Sequence, residues 1–200
     1  MAGTLSAPGA GQLVEVFRVI PRLELLRSSA DVARFHVRSD PPTSYLSRIP
    51  RTAVFEVSQG RRAVTPDGHR LLRVAARLTA MINLCDERER RYIGLTEEEI
   101  FGPKVLGDPS HEARLLVAHE ARTARVQGIW YPSRLDGPHG ANIVVFLENA
   151  PVGRLQDGAA LEILDRDDAP EQSALAAVLD EIRMTFGPHW VDLIRAKASR

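Results

Sequence analysis

Two apolar runs, Gly128-Ile129-Trp130-Tyr131-Pro132-Ser133 and Asn142-Ile143-Val144-Val145-Phe146-Leu147, stand on either side of a polar Gly/Pro loop. No other feature constrains the chain as much. Short runs rich in β-branched and aromatic residues, bounded by Gly and Pro, read as strands. Ser133 then sits at a strand end, where a rigid element positions a polar group and a loop keeps it open. Alone, this serine names no chemistry. Upstream of it stand Arg18, Arg34, Tyr45 and Glu56, each beside its own strand or turn signal.

Other segments punctuate the chain in the same way. Leu13 to Ile20 alternates loosely and ends at Pro21, which reads as a first strand carrying Arg18. Residues 23 to 35 suit a short helix and a return. Asp40-Pro41-Pro42 is a turn, and Tyr45-Leu46 opens a short strand. Pro50 at a helix start, followed by Thr52-Ala53-Val54-Phe55-Glu56-Val57, suits a short helix that stops before Gly60. Leu71 to Leu84 is one long apolar run, read as a buried strand, with a helix as the alternative.

Thr96-x-x-Glu99 forms a capping box whose helix stops at Gly102-Pro103. Ser110 is the expected N-cap of a longer helix reaching about Arg125, with Ala113, Val117, Ala121 and Ala124 along one face. A shorter strand is expected at Ala160 to Leu164, then a polar break at Asp165-Arg166-Asp167-Asp168. Beyond it Leu175, Val178, Leu179, Ile182 and Phe186 make a helical stripe ending at Gly187-Pro188, and His189 to Ala196 suits a last short helix. Strands and helices are interspersed without regular alternation, so the expected class is a compact α+β domain.

The chemistry narrows by subtraction. Its 26 basic and 26 acidic residues cancel, leaving no bulk signature of nucleic-acid or membrane affinity. The single Cys85 excludes an internal disulfide and fits a reducing, cytoplasmic setting. No apolar run approaches membrane-span length, and residues 1–12 read as a flexible leader without a secretory pattern. His111 and His119 lie eight residues apart and cannot chelate one ion as an i, i+4 pair would, so the histidines read as ordinary surface residues and no metal is expected. Ser133 has no Gly-x-Ser-x-Gly elbow, and the Gly137-Pro138-His139-Gly140 loop has no phosphate-cradling spacing.

What remains is arginine, tyrosine, glutamate and serine at structured positions. That set suits a nucleotide whose bond breaks with little help. The nicotinamide–ribose bond of NAD is such a bond, because its leaving group is a cationic pyridinium. An oxocarbenium ion develops there and calls for a carboxylate. The diphosphate calls for the planar fork of arginine. An aromatic ring can stack on a base, and serine can hydrogen-bond ribose hydroxyls.

Read with their neighbours, these residues resemble the RES domain family, named for its arginine, glutamate and serine. The resemblance rests on Val16-Phe17-Arg18-Val19, Ala33-Arg34-Phe35 eleven residues before Tyr45, Tyr45-Leu46-Ser47, Thr52-Ala53-Val54-Phe55-Glu56-Val57, Ile82-Asn83-Leu84-Cys85-Asp86 with Gly94-Leu95-Thr96, and the Ser133 segment with Asn142. It covers roughly residues 14 to 165, in order.

The resemblance implies an ADP-ribosyltransferase-like sheet, mixed or antiparallel, with flanking helices. It implies an NAD-consuming toxin that cleaves by hydrolysis or phosphorolysis, with a helix-turn-helix antitoxin as partner. Protein ADP-ribosylation, or a catalytically weak binding module of the same fold, is the alternative. By carry-over, Arg18 and Arg34 hold the diphosphate, Tyr45 stacks, Glu56 stabilises the ribosyl cation and Ser133 orients ribose or nicotinamide; Glu56, Arg18 and Ser133 are the expected catalytic group. Val32-Ala33 stands where the family has two glycines, and His36-Val37 replaces its asparagine-proline, leaving Arg38 as a rival to Arg34. The expected organisation is a leader (1–12), a RES-like catalytic domain (13–165) and a C-terminal helical extension (166–200) that packs on the domain or mediates self-association.

Overall fold

The structure is a computed structural model; it describes residues 9–21, 32–37, 39–59, 64–137, 140–164 and 168–198. Arg38, most of the expected helix and return before Arg34, most of the leader, and 165–167 of the polar break lie outside the described residues.

In chain order come β1 (Leu13–Pro21), β2 (Val32–Ala33), β3 (His36–Val37), β4 (Thr43–Ser47), α1 (Pro50–Ser58), β5 (His69–Arg77) and β6 (Met81–Asn83). Then follow α2 (Glu87–Ile93), α3 (Glu97–Phe101), α4 (Pro109–Thr123), β7 (Gly128–Pro132), β8 (Ala141–Phe146), β9 (Leu161–Ile163), α5 (Asp168–Phe186) and α6 (Trp190–Ala198). Seven strands form one mixed sheet in the order β6-β7-β8-β4-β1-β5-β9, and β2 pairs with β3 separately. Only β6 with β7 is parallel; the other neighbours in the large sheet are antiparallel. The class is α+β, as the interspersed pattern led us to expect.

The expected single run from Leu71 to Leu84 is two strands at distant places in the sheet. β5 is second from one edge and β6 is the other edge. Between them the Gln127 side-chain oxygen accepts from the Thr79 amide at 2.7 Å, and the Gln127 amide donates to the Ala80 carbonyl at 2.8 Å. No Gly or Pro marks this break, so nothing local revealed it. Five strand spacings amount to roughly 24 Å, whereas the link from Arg77 to Met81 can reach only about 14 Å. The sheet is therefore strongly curled.

Its concave face encloses one core, in which Val14, Val16 and Ile20 of β1 meet Leu46, Leu72, Val74, Trp130, Ile143 and Val145. The opposite face carries two more. Phe17 and Val19 pack with Ala53, Val54 and Phe55 of α1, and with Leu175, Leu179, Ile182, Trp190 and Ile194 of the C-terminal helices. Further along, Ile129, Tyr131, Val144 and Phe146 pack with Phe35, Ile100, Val117 and Ala121. Residues beyond 168 thus complete a core rather than trailing from one. No helix among the described residues is long and apolar enough to cross a membrane.

Local signals account for several boundaries. The Thr96/Glu99 capping box is formed, and α3 stops at Gly102. The cap of α4 differs from expectation: Asp108, not Ser110, accepts from the Ser110 and His111 amides, with Pro109 in the first turn. A carboxylate suits the positive helix start better than a hydroxyl. The buried face of α4 is also rotated from the alanine stripe, being His111, Arg114, Val117, Ala118 and Ala121. His111 is fully buried, against the expectation of a surface histidine.

Candidate active site

Glu56 lies in the last turn of α1, a helix whose Thr52, Ala53, Val54 and Phe55 are buried. That burial fixes the helix against the sheet and aims Glu56 along its other side. The carboxylate meets three neutral donors. Asn142 Nδ2 donates to Oε1 at 2.7 Å and Ser133 Oγ donates to the same oxygen at 3.0 Å. Gln59 Nε2 donates to Oε2 at 3.1 Å while also donating to the Glu56 carbonyl at 2.7 Å.

Ser133 follows β7 and is buried. Its amide donates to the Gly140 carbonyl at 2.8 Å, closing the loop at its base. Asp136 in that loop accepts from Thr52 Oγ1 and pairs with Arg51 at 2.9 Å, so the first turn of α1 and the serine loop are stapled together. A Cβ on Gly140 would approach Asp136 Cβ to 2.6 Å and Ser133 Cβ to 2.9 Å. Only glycine allows this approach.

Arg34 occupies the turn between β2 and β3, and its Nη1 donates to the Ile100 carbonyl. Its guanidinium carbon lies 5.9 Å from the Phe101 ring centroid and 5.7 Å from that of Tyr131, within cation–π range of both. The turn itself is held from behind. Tyr45 Oη accepts from the Phe35 amide at 2.9 Å, and buried Arg114 Nε donates to the Arg34 carbonyl at 3.2 Å. Arg114 also donates to the Glu99 and Pro103 carbonyls. Burial first, then the nearby Arg34 charge, lowers its pKa to about 10. His111 Nδ1 faces Arg114 Nη2 at 3.2 Å; a guanidinium only donates, so Nδ1 accepts and Nε2 carries the proton. Burial and the Arg114 charge push the His111 pKa down.

Between these groups lies a cavity of about 910 Å³, lined by Arg34, Glu56, Gln59, Tyr131 and Asn142, with Lys104 and Arg134 also on its wall. Tyr131 senses both ends: burial raises its phenol well above the ordinary value, Glu56 pushes the same way and Arg34 opposes it. Ala198 at the end of α6 also lines the space, and Lys197 Nζ donates to the Leu135 carbonyl at 3.4 Å.

Glu56, Ser133 and Arg34 are therefore brought to one region. Arg18 and Tyr45 are placed differently. Side chains alternate along a strand, and Arg18 shares its face of β1 with Val14, Val16 and Ile20 of the concave core; Phe17 and Val19 face α1. Arg18 Nη1 donates to Ser44 Oγ of β4 at 3.2 Å, across the sheet from Glu56. The Tyr45 ring packs against the core that contains Phe35 and Phe146, with the His36 ring centroid 5.7 Å away, and its hydroxyl faces the Arg34 turn. Burial drives its pKa far upward, which keeps the phenol neutral. Sequence reasoning gave no role to Asn142, Gln59 or Arg114. Asn142 had a signal, a polar residue heading an apolar strand; Arg114 had the 111–114–118–121 spacing.

Comparison with known proteins adds three findings. No curated protein matches. A solved chain with the same fold is in the crystal structure of the M. tuberculosis MbcT–MbcA toxin–antitoxin complex, at TM-score 0.57 and 17% identity, covering 84% of this chain and 91% of that one. The model of the RES domain matches residues 26–167, which includes Arg34, Tyr45, Glu56, Ser133 and Asn142 and leaves out Arg18 with α5 and α6. With that match spanning more than half of its length, the chain belongs to the RES domain family.

Proposed function

We propose that this protein cleaves the nicotinamide–ribose bond of NAD and acts as the toxin of a toxin–antitoxin pair. One observation carries the chemistry: a carboxylate held by neutral donors shares a cavity with an arginine held by neutral acceptors. Glu56 faces the ribosyl cation as it develops, its field not cancelled by an ion pair with a described residue. Arg34 holds the diphosphate, with Lys104 and Arg134 on the same wall. Ser133, which donates to Glu56, orients ribose or nicotinamide in this reading, as the family resemblance implies.

In the step itself the bond between ribose C1′ and the pyridinium nitrogen breaks. Its electron pair leaves with neutral nicotinamide, and Glu56 stabilises the oxocarbenium ion left behind. An acceptor then adds to C1′ and loses a proton. Water, inorganic phosphate and a protein side chain are the three acceptors in view. Family membership and the fold shared with a chain from a toxin–antitoxin complex support the toxin role and an antitoxin partner, with the helix-turn-helix character that the family resemblance implies. The setting for such a role is the cytoplasm.

Nicotinamide release from NAD, measured with and without phosphate, tests this reading. Release is expected, and Glu56→Gln should slow it by about 10²–10³-fold, the scale of removing one stabiliser of transition-state charge. Full activity in Glu56→Gln would remove the mechanism. Labelled NAD added to a lysate separates protein modification, which yields a labelled band, from small-molecule acceptors.

A further inference from the structure

We infer that Ser47 and Asn142 form a positioning relay that fixes the Glu56 carboxylate, with Ser47 acting through Asn142. The inference deepens the proposed NAD cleavage and rests on it for its kinetic arm.

Asn142 is buried at 2% exposure and sits in β8, where Ile143, Val144, Val145 and Phe146 are all buried and apolar. A polar amide in such a strand is costly unless both of its ends are bonded. Both are. Nδ2 donates to Glu56 Oε1 at 2.7 Å, and Oδ1 accepts from Ser47 Oγ at 2.7 Å. The orientation follows from chemistry, since an ionised carboxylate only accepts. The NH₂ group must face Glu56, which leaves Oδ1 for the serine proton. A flipped amide would set oxygen against oxygen at the Glu56 end, and that end decides the orientation.

Strand register builds this arrangement. Ser47 and Asn142 are direct partners in the β4–β8 ladder, so their side chains emerge side by side on the face that carries α1. Ser47 is also the only residue of β4 in register with β1, opposite Phe17. It is buried and stands off the cavity wall, so it touches Glu56 only through the amide. The result is an asymmetric carboxylate. Oε1 is occupied by Asn142 and Ser133, while Oε2 has Gln59, a half-exposed side chain on the cavity wall. Oε2 is the oxygen presented to substrate.

Kinetics on the full-length chain test the relay. Ser47→Ala should lower kcat for nicotinamide release about tenfold and Asn142→Ala about a hundredfold, the scale of misplacing a reacting group by about 1 Å. KM should stay unchanged, because neither residue would hold the diphosphate. Ser47→Thr, which keeps the hydroxyl, should restore most of the rate. The Ser47→Ala/Asn142→Ala double variant should be no slower than Asn142→Ala alone. Multiplying losses, or a rate per folded molecule that does not change, would overturn the relay.

A second measurement is independent of turnover. The Asn142 side-chain amide signals, assigned by their loss in Asn142→Asp, should shift in both Glu56→Gln and Ser47→Ala. Signals that stay put in either variant refute the relay whether or not NAD is cleaved. Shifted signals in a protein that releases no nicotinamide would keep the relay and remove the proposed reaction.

Discussion

At one end of the cavity, Glu56 is held by side chains: an asparagine, a serine and a glutamine, each supplying one donor. At the other, Arg34 is held by backbone and rings: the Ile100 carbonyl, the Phe101 and Tyr131 faces, and a turn secured by Tyr45 and Arg114. Among the described residues neither group is hydrogen-bonded to an opposite charge. An ion pair would fix either group as firmly, but it would cancel the field that a ligand is meant to feel. Neutral partners keep a negative end and a positive end facing one space. The difference between the ends lies in what can be altered. The carboxylate end is a set of separable contacts, whereas the guanidinium end depends on how the chain itself is folded around Arg114.

The contrast can be broken at either end. On ligand binding, the largest effect is expected from Arg34→Lys. Lysine keeps the charge but loses the planar fork, and calorimetry should show NAD binding weakened about tenfold or more. Retained affinity would mean that Arg34 is not the anion-binding group. Arg114→Met comes next. It removes the guanidinium donor from the carbonyls of Arg34, Glu99 and Pro103, of which Glu99 keeps the Gly102 amide, and a loss of about 3 kcal/mol in denaturant unfolding is expected.

A smaller loss is expected from Gly140→Ala, where the added methyl meets Asp136 and Ser133. About 1–3 kcal/mol is the usual scale of such overpacking, and it should be accompanied by reduced turnover because Ser133 moves. A Gly140→Ala protein of unchanged stability and rate would show that the loop yields freely.

The smallest effect sharpens the comparison through pH. Burial and the Arg114 charge lower the His111 pKa in the folded state. As pH falls below about 6.5 the unfolded chain gains that proton first. Stability should therefore fall with acidification until the folded-state value is reached, and it should be insensitive to this group above about pH 7.5. His111→Asn should flatten the acid limb in thermal melts taken between those values. An unchanged limb would assign the acid loss to other groups.

The residues explain which of these features were legible in advance. The Thr96 capping box, the start of α1 at Pro50 and the apolar stripe of α5 are local patterns, and each was read from neighbouring residues. Glu56, Arg34 and Ser133 were read from segment order, and the structure brings them to one region. Long-range partners were not readable. The break after Arg77 is set by Gln127, fifty residues later, and the Asn142 role by its register with Ser47. Arg18 illustrates the sharpest limit. A strand signal says that a residue alternates but not which side its neighbours will cover, and one position decides the face. Arg114 escaped because a charged residue on a helix reads as solvated until its acceptors, three backbone carbonyls, are in place.

The join between β1 and β4 has a consequence for how the molecule comes apart. β1 is zipped to β5 along all of Leu13–Pro21, and β4 to β8 along all of Thr43–Ser47, yet β1 and β4 share only the rung between Phe17 and Ser47. Side chains bridge the two strands, as Arg18 does to Ser44, but the backbone ladder is thinnest at this rung, and hydrogen exchange is expected to find its earliest opening in the sheet there. The rung falls at Ser47, which donates to Asn142 and so stands one amide away from Glu56; an opening there would loosen that carboxylate as well.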